Sequence, residues 1–268
     1  MRFRRKKAAL VPSIRQIGSE RTLWHSLVEA LAFGPDREAF RLVAQKVSRV
    51  SLRARLQALP APEHAAEALR SLEAAFASLP PPRSAARRPA NSPARRLESA
   101  ARLAARYAEK GLVAAFVDAF EEGRRQGECD GANTEVTKTE RRRNHGLAPF
   151  RVSNSQFQSG QRRRSESRMI RSLTGALIAP GLIARGRAVE IIANAVLPRL
   201  AALGPERRAR RTEAIFACLP VPVRYGAVRH LHEAVGEGVR MSFRRQQGML
   251  YLFNHYCTQG GCGRCPLS

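Results

Sequence analysis

The chain has 268 residues, enough for one large domain or two small ones, and its 44% apolar content excludes wholesale disorder and collagen-like repeats. It carries 47 basic against 22 acidic residues, a formal +25 that gathers polyanions around the surface. Of the basic residues 42 are arginine and 5 lysine, beside abundant alanine; such codon bias swaps Lys for Arg without adding net charge.

The opening Met1–Lys7 is basic, but the apolar stretch after it is short and broken by Pro12, so no signal peptide is expected. No run approaches about 18 uninterrupted apolar residues, so no membrane span is expected either. A cytoplasmic chain follows, and there thiols stay reduced. The 5 cysteines then point to metal or simple burial before disulfides.

Trp24, Leu27, Val28 and Leu31 lie at helical spacing, with Ser19 as a candidate cap and Gly34-Pro35 as the stop. Asp36 can cap a second helix with Phe40, Val43, Ala44 and Val47 on one face. A short helix over Ser51–Leu59 ends at Pro60, and another over Glu63–Leu79 ends at three prolines. Residues 83–96 form a basic, proline-punctuated connector. The longest stripe follows over Pro93–Glu122, with Pro93 in the first turn and Ser92 as its cap.

From 124 to 168 aliphatic residues thin out and basic triplets appear, which predicts a basic, disordered linker. Leu173–Ile178 is expected as a short strand or extended buried run. Helices are expected over Arg187–Leu203, where Pro198 should bend or end the helix, then over Glu206–Leu219, around Val228–Val235, and over Ser242–Tyr256. The expected fold class is all-α or nearly so: an irregular helical bundle with a C-terminal cysteine knuckle. Its expected parts are an N-terminal helical region over 1–123, the linker over 124–168 and a C-terminal helical region over 169–268.

The chain closes on Cys257, Cys262 and Cys265 in a Cys-x4-Cys-x2-Cys-Pro pattern. Two cysteines two residues apart can turn both sulfurs onto one ion, and the intervening glycines permit the tight turns this needs. Thiolates suit zinc or an iron–sulfur cluster, and the spacing matches three of the four ligands of one ferredoxin pattern. Cys218 and His255 are the candidate fourth ligands, with Cys129 behind them. His230, His232 and Glu233 have the residue types of a metal site, but positions i and i+2 do not share a helix face. There is no nucleophile elbow, phosphate loop, dinucleotide fingerprint or His-Glu-x-x-His motif.

Four segments carry a family resemblance: Leu23–Phe40, Arg88–Leu97, Gly186–Pro198 and the run from Arg245-Gln246-Gln247-Gly248 to Cys265-Pro266-Leu267. In their order and their closing cysteine trio they resemble the C-terminal helical half of a bacterial family defined as domain of unknown function 2851. The resemblance implies longer relatives that open with a strand-rich, loosely nuclease-like half. It therefore raises the expectation of a catalytic partner chain, with this chain as the accessory half of a split enzyme.

Charge and composition favour a different reading. In it the chain is a helical module that binds nucleic acid or another polyanion through Arg88, Arg95, Arg96, Arg185, Arg187, Arg244 and Arg245, with the knuckle stapling its C-terminus. A structural or protein-interaction domain without a ligand is the third reading. Aromatic content of 6% offers few platforms for stacking single-stranded bases.

Overall fold

Apolar residues three and four apart make amphipathic helices, and those helices bury their stripes against one another. The computed structural model describes residues 2–32, 36–80, 92–125, 154–221, 225–236, 241–261 and 263–265, with backbone only at 2–7, 17 and 154–164. Among the described residues every regular element is helical, and a lone bridge joins Ala179 to Ile183. The elements are α1 (Arg2–Ile17), α2 (Ser19–Leu31), α3 (Arg37–Lys46), α4 (Arg49–Gln57), α5 (His64–Ala77), α6 (Pro93–Arg106) and α7 (112–125). After these come α8 (Asn154–Leu177), α9 (Arg185–Ile191), α10 (Leu197–Leu203), α11 (Glu206–Cys218), α12 (Arg229–Val235) and α13 (Phe243–His255).

The central element is α2, which packs against α1, α3, α4, α6 and the α9–α10 stretch. Its predicted stripe of Trp24, Leu27, Val28 and Leu31 is buried. The Trp24 indole Nε1 donates to the Val47 carbonyl at 3.0 Å, which satisfies the one polar atom of that ring. Truncating such a side chain typically costs about 3–5 kcal/mol. The cap of α2 is Gly18 rather than Ser19, and Thr22 Oγ1 donates back to the Gly18 carbonyl at 2.7 Å.

The single helix expected over Pro93–Glu122 is two. The chain breaks at Tyr107–Gly111, where Gly111 takes a φ of 82° that few other residues tolerate. The break frees backbone groups, and side chains from α2 and α4 answer them. Both Glu20 oxygens accept, from the Leu112 amide at 2.7 Å and the Val113 amide at 2.9 Å. Arg49 donates to the Tyr107 carbonyl at 2.8 Å and Arg53 to the Ala108 carbonyl at 2.7 Å.

Pro198 does not end its helix. Residues Ile192–Val196 widen into a π-turn in which the Leu197 amide reaches the Ile192 carbonyl, and α10 continues through the proline. Just beyond it the buried Arg199 donates to the Ala195 carbonyl at 2.9 Å and to the Thr22 carbonyl of α2 at 3.0 Å. Burial pushes its pKa down to about 10.

The strand expected over 173–178 is instead the end of α8. Met169, Ile170, Leu173 and Leu177 are buried at helical, not alternating, spacing. The expected linker over 124–168 is helical at both ends, in α7 and from Asn154 onward; residues 126–153 lie outside the described ones. The two flanking regions form a single core. Leu97, Phe116 and Phe120 belong to the same buried cluster as Leu173, Ile192, Ile215 and Phe243. A second, smaller cluster of Val228, Leu231 and Met249, with Phe253 and Cys257 packed on it, underlies the C-terminal knuckle.

Candidate metal knuckle and basic helix termini

The end of α13 delivers the chain into the knuckle. The Gln259 and Gly261 amides both reach the Tyr256 carbonyl, at 3.1 and 2.8 Å, and the Arg264 amide reaches the Gly261 carbonyl at 3.1 Å. Two reversals follow within eight residues, at Gly260 (φ 64°) and Gly263 (φ 84°). These are the tight turns the cysteine spacing predicts. Cys257 is half-buried against the small cluster, and its Sγ stands 3.6 Å from His230 Nε2. Cys265 is also half-buried, while Cys262 and Cys129 lie outside the described residues. Among the described residues no three His, Cys, Asp or Glu side chains converge on one point.

The two candidate fourth ligands are engaged elsewhere. The His255 ring lies 4.1 Å from that of Tyr251, one turn back on α13. The Cys218 thiol donates to Glu166 Oε2 on α8 at 2.8 Å, a carboxylate that is itself buried. The residue that does approach the knuckle, His230, comes from α12, with its ring centroid 5.9 Å from that of Phe253. In the sequence His230 pairs by type with His232, two residues on, and nothing local links it to a cysteine 27 residues away.

Two longer helices begin with the same chemistry. Ser92 Oγ accepts from the Arg95 amide at 3.4 Å, and Ser242 Oγ accepts from the Arg245 amide at 3.3 Å. The first turn of α6 and that of α13 each lack an acidic residue. Each start instead carries adjacent arginines, Arg95-Arg96 and Arg244-Arg245. Cations at that end oppose the helix dipole, so both termini concentrate positive potential.

The predicted basic residues divide into two groups. Arg95, Arg185, Arg244 and Arg245 are exposed, and Arg95 also donates to the Gly181 carbonyl at 2.5 Å. Arg187 and Arg96 do not fit a simple surface contact. Arg187 gives its guanidinium to the end of α2, donating to the Ala30 and Ala32 carbonyls at 2.6 and 2.7 Å, and to Glu190 at 2.8 Å. Arg96 is only 8% exposed, and burial, then nearby Arg187 and Arg95, hold its pKa below the usual guanidinium value. Arg88 lies outside the described residues.

Among the described residues, no helix is long and apolar enough to cross a membrane. In comparisons with known proteins, no family model matches the chain, and neither a curated protein nor a solved structure matches it.

Proposed function

We propose that this chain is a basic helical module that binds nucleic acid or a similar phosphate-bearing polyanion, and that its C-terminal knuckle of Cys257, Cys262 and Cys265 holds zinc or an iron–sulfur cluster. One observation carries the first half. The serine-capped starts of α6 and α13 expose arginines, Arg95 on α6 and Arg244 and Arg245 on α13, with no acidic residue in either first turn. That arrangement is unfavourable for an isolated helix and favourable once a phosphate group sits at its end. The net charge of +25 supplies the long-range attraction. The low aromatic content favours backbone phosphates over stacked bases as the contact.

Duplex and single-stranded DNA and RNA titrated by fluorescence anisotropy over a series of salt concentrations test this. Binding whose logarithm falls linearly with log salt is expected. Absence of binding at low salt removes the polyanion reading. Metal content of the purified protein tests the knuckle separately. A brown protein absorbing near ~400 nm points to a cluster, and a colourless one with stoichiometric zinc to a structural site.

A further inference from the structure

His230 stands at the second position of α12, and Cys257 opens the turn that leaves α13. The two are 27 residues apart in the chain, yet Val228, Leu231, Met249 and Phe253 pack into one small cluster beneath them, on which Cys257 itself rests. That packing fixes α12 against α13. It sets His230 Nε2 and Cys257 Sγ 3.6 Å apart at a partly exposed surface. A tetrahedral zinc with sulfur at about 2.3 Å and imidazole nitrogen at about 2.05 Å has an S···N edge of about 3.6 Å. The two atoms therefore stand at the separation they have as ligands of one ion.

We propose that His230 is the nitrogen ligand of the C-terminal thiolate site, so that the knuckle is a zinc centre of the Cys3His type. This rests on the knuckle being a metal site, as proposed above. Cys262 and Cys265 enter through their Cys-x2-Cys spacing, and Cys257 through its place beside His230. His255 is set aside because its ring packs, tilted, against that of Tyr251 and no cysteine stands beside it among the contacts of the described residues. Cys218 is set aside because its thiol is bonded to Glu166. A nitrogen donor beside thiolates suits zinc, whereas cubane clusters are held by four thiolates. On binding, the three thiols lose their protons to solvent while the neutral imidazole offers Nε2, so uptake of zinc releases protons. The ion would tie α12 to the chain terminus, across a part of the molecule that buries little apolar surface of its own.

The test uses the full chain, with zinc as the probe, in four forms: unchanged, His230→Ala, His255→Ala and His230→Cys. Zinc affinity is measured by competition with a chromophoric chelator, and the ligand set by the absorption of the cobalt(II) form. The unchanged chain is expected to bind one zinc. His230→Ala is expected to weaken it at least about tenfold and to alter the cobalt spectrum. His230→Cys should retain the metal with stronger thiolate charge-transfer bands, which also shows that the site folds when position 230 is changed. His255→Ala should leave affinity and spectrum unchanged. A chain that binds zinc with the same affinity and spectrum in His230→Ala overturns the assignment of His230 and leaves the knuckle itself standing. Loss of zinc in His255→Ala instead overturns it too. An unchanged chain that takes up no zinc overturns this inference and leaves the knuckle only its iron–sulfur reading, which the absorption of the purified protein tests.

Discussion

The Glu20 carboxylate of α2 lies 3.7 Å from the Nε of the fully buried Arg49 on α4, while its oxygens accept the two amides that open α7. One carboxylate thus closes a helix start and balances a buried cation. Burial pushes the Arg49 pKa down, and Glu20 opposes that shift. The Trp24 ring, 6.0 Å from the guanidinium, covers the cation from α2. Removing one partner of such a pair costs more than removing both, because a buried charge is left uncompensated. Glu20→Ala is expected to cost about 3 kcal/mol, and Glu20→Ala with Arg49→Met less than the sum of the single changes by about 1 kcal/mol or more. Urea midpoints of the two single variants and the double variant measure this, and strict additivity would dismiss the coupling.

Gly123 on α7 meets the backbone of α8. A Cβ built there would lie 2.6 Å from Met169 Cα, and backbone cannot swing aside as a side chain can. Gly123→Ala should cost about 1–3 kcal/mol, as overpacking of a filled core does. Gly248 in α13 is the control, since nothing lies within 4 Å of its Cβ position. There the same change should stabilise by about 0.5–1 kcal/mol through helix propensity alone. Thermal unfolding of both variants reads the contrast. Equal effects at the two positions would mean that α7 and α8 do not touch as described.

These two sites show which parts of the fold the sequence displayed and which it hid. The stripes of α2 and α3 are periodic, so burial follows directly from spacing, and Ser92 and Pro93 announce the start of α6 by local chemistry. The break at Tyr107–Gly111 is hidden because its stabilising partners, Glu20, Arg49 and Arg53, come from distant positions in the chain. Pro198 reads as a bend or a stop by the same local logic, while the π-turn that absorbs it is anchored to α2 through Arg199. The knuckle turns are visible as glycines between cysteines, but the approach of His230 depends on how α12 packs against α13. Local signals are legible from one window of sequence. Long-range partners need the topology.

His25, half-buried on α2, carries the pH dependence. Burial chiefly, and then Arg21, Arg199 and Arg41, lower its pKa from the usual histidine value, against a smaller raising effect from a hydrogen bond to the Ala44 backbone. The unfolded chain takes up this proton near pH ~6.5, and the folded chain only at lower pH. Unfolding therefore binds a proton in the window between the two values. Stability is fully present above about pH 6.5 and falls as pH drops through that window. His25→Gln should flatten that part of the profile relative to the unchanged chain. Chemical denaturation between about pH 5 and 8 measures the difference, and parallel profiles would assign the acid sensitivity to other groups.

Arg185 and Arg187 are two residues apart and should respond in opposite ways. Arg185 is exposed at the start of α9, whereas Arg187 donates to the Ala30 and Ala32 carbonyls that end α2 and pairs with Glu190. Arg187→Gln removes charge-assisted bonds to the two carbonyls at the end of α2, so a stability loss of about 1–3 kcal/mol is expected. Its effect on nucleic-acid binding should be small once the folded fraction is accounted for. Arg185→Gln should leave the unfolding midpoint in place and lower the slope of log affinity against log salt by about 1, the signature of one lost phosphate contact. Paired measurements of unfolding and salt-dependent anisotropy on both variants separate the two roles. A slope change in Arg187→Gln without a stability change would return that residue to the binding surface and remove it from the end of α2.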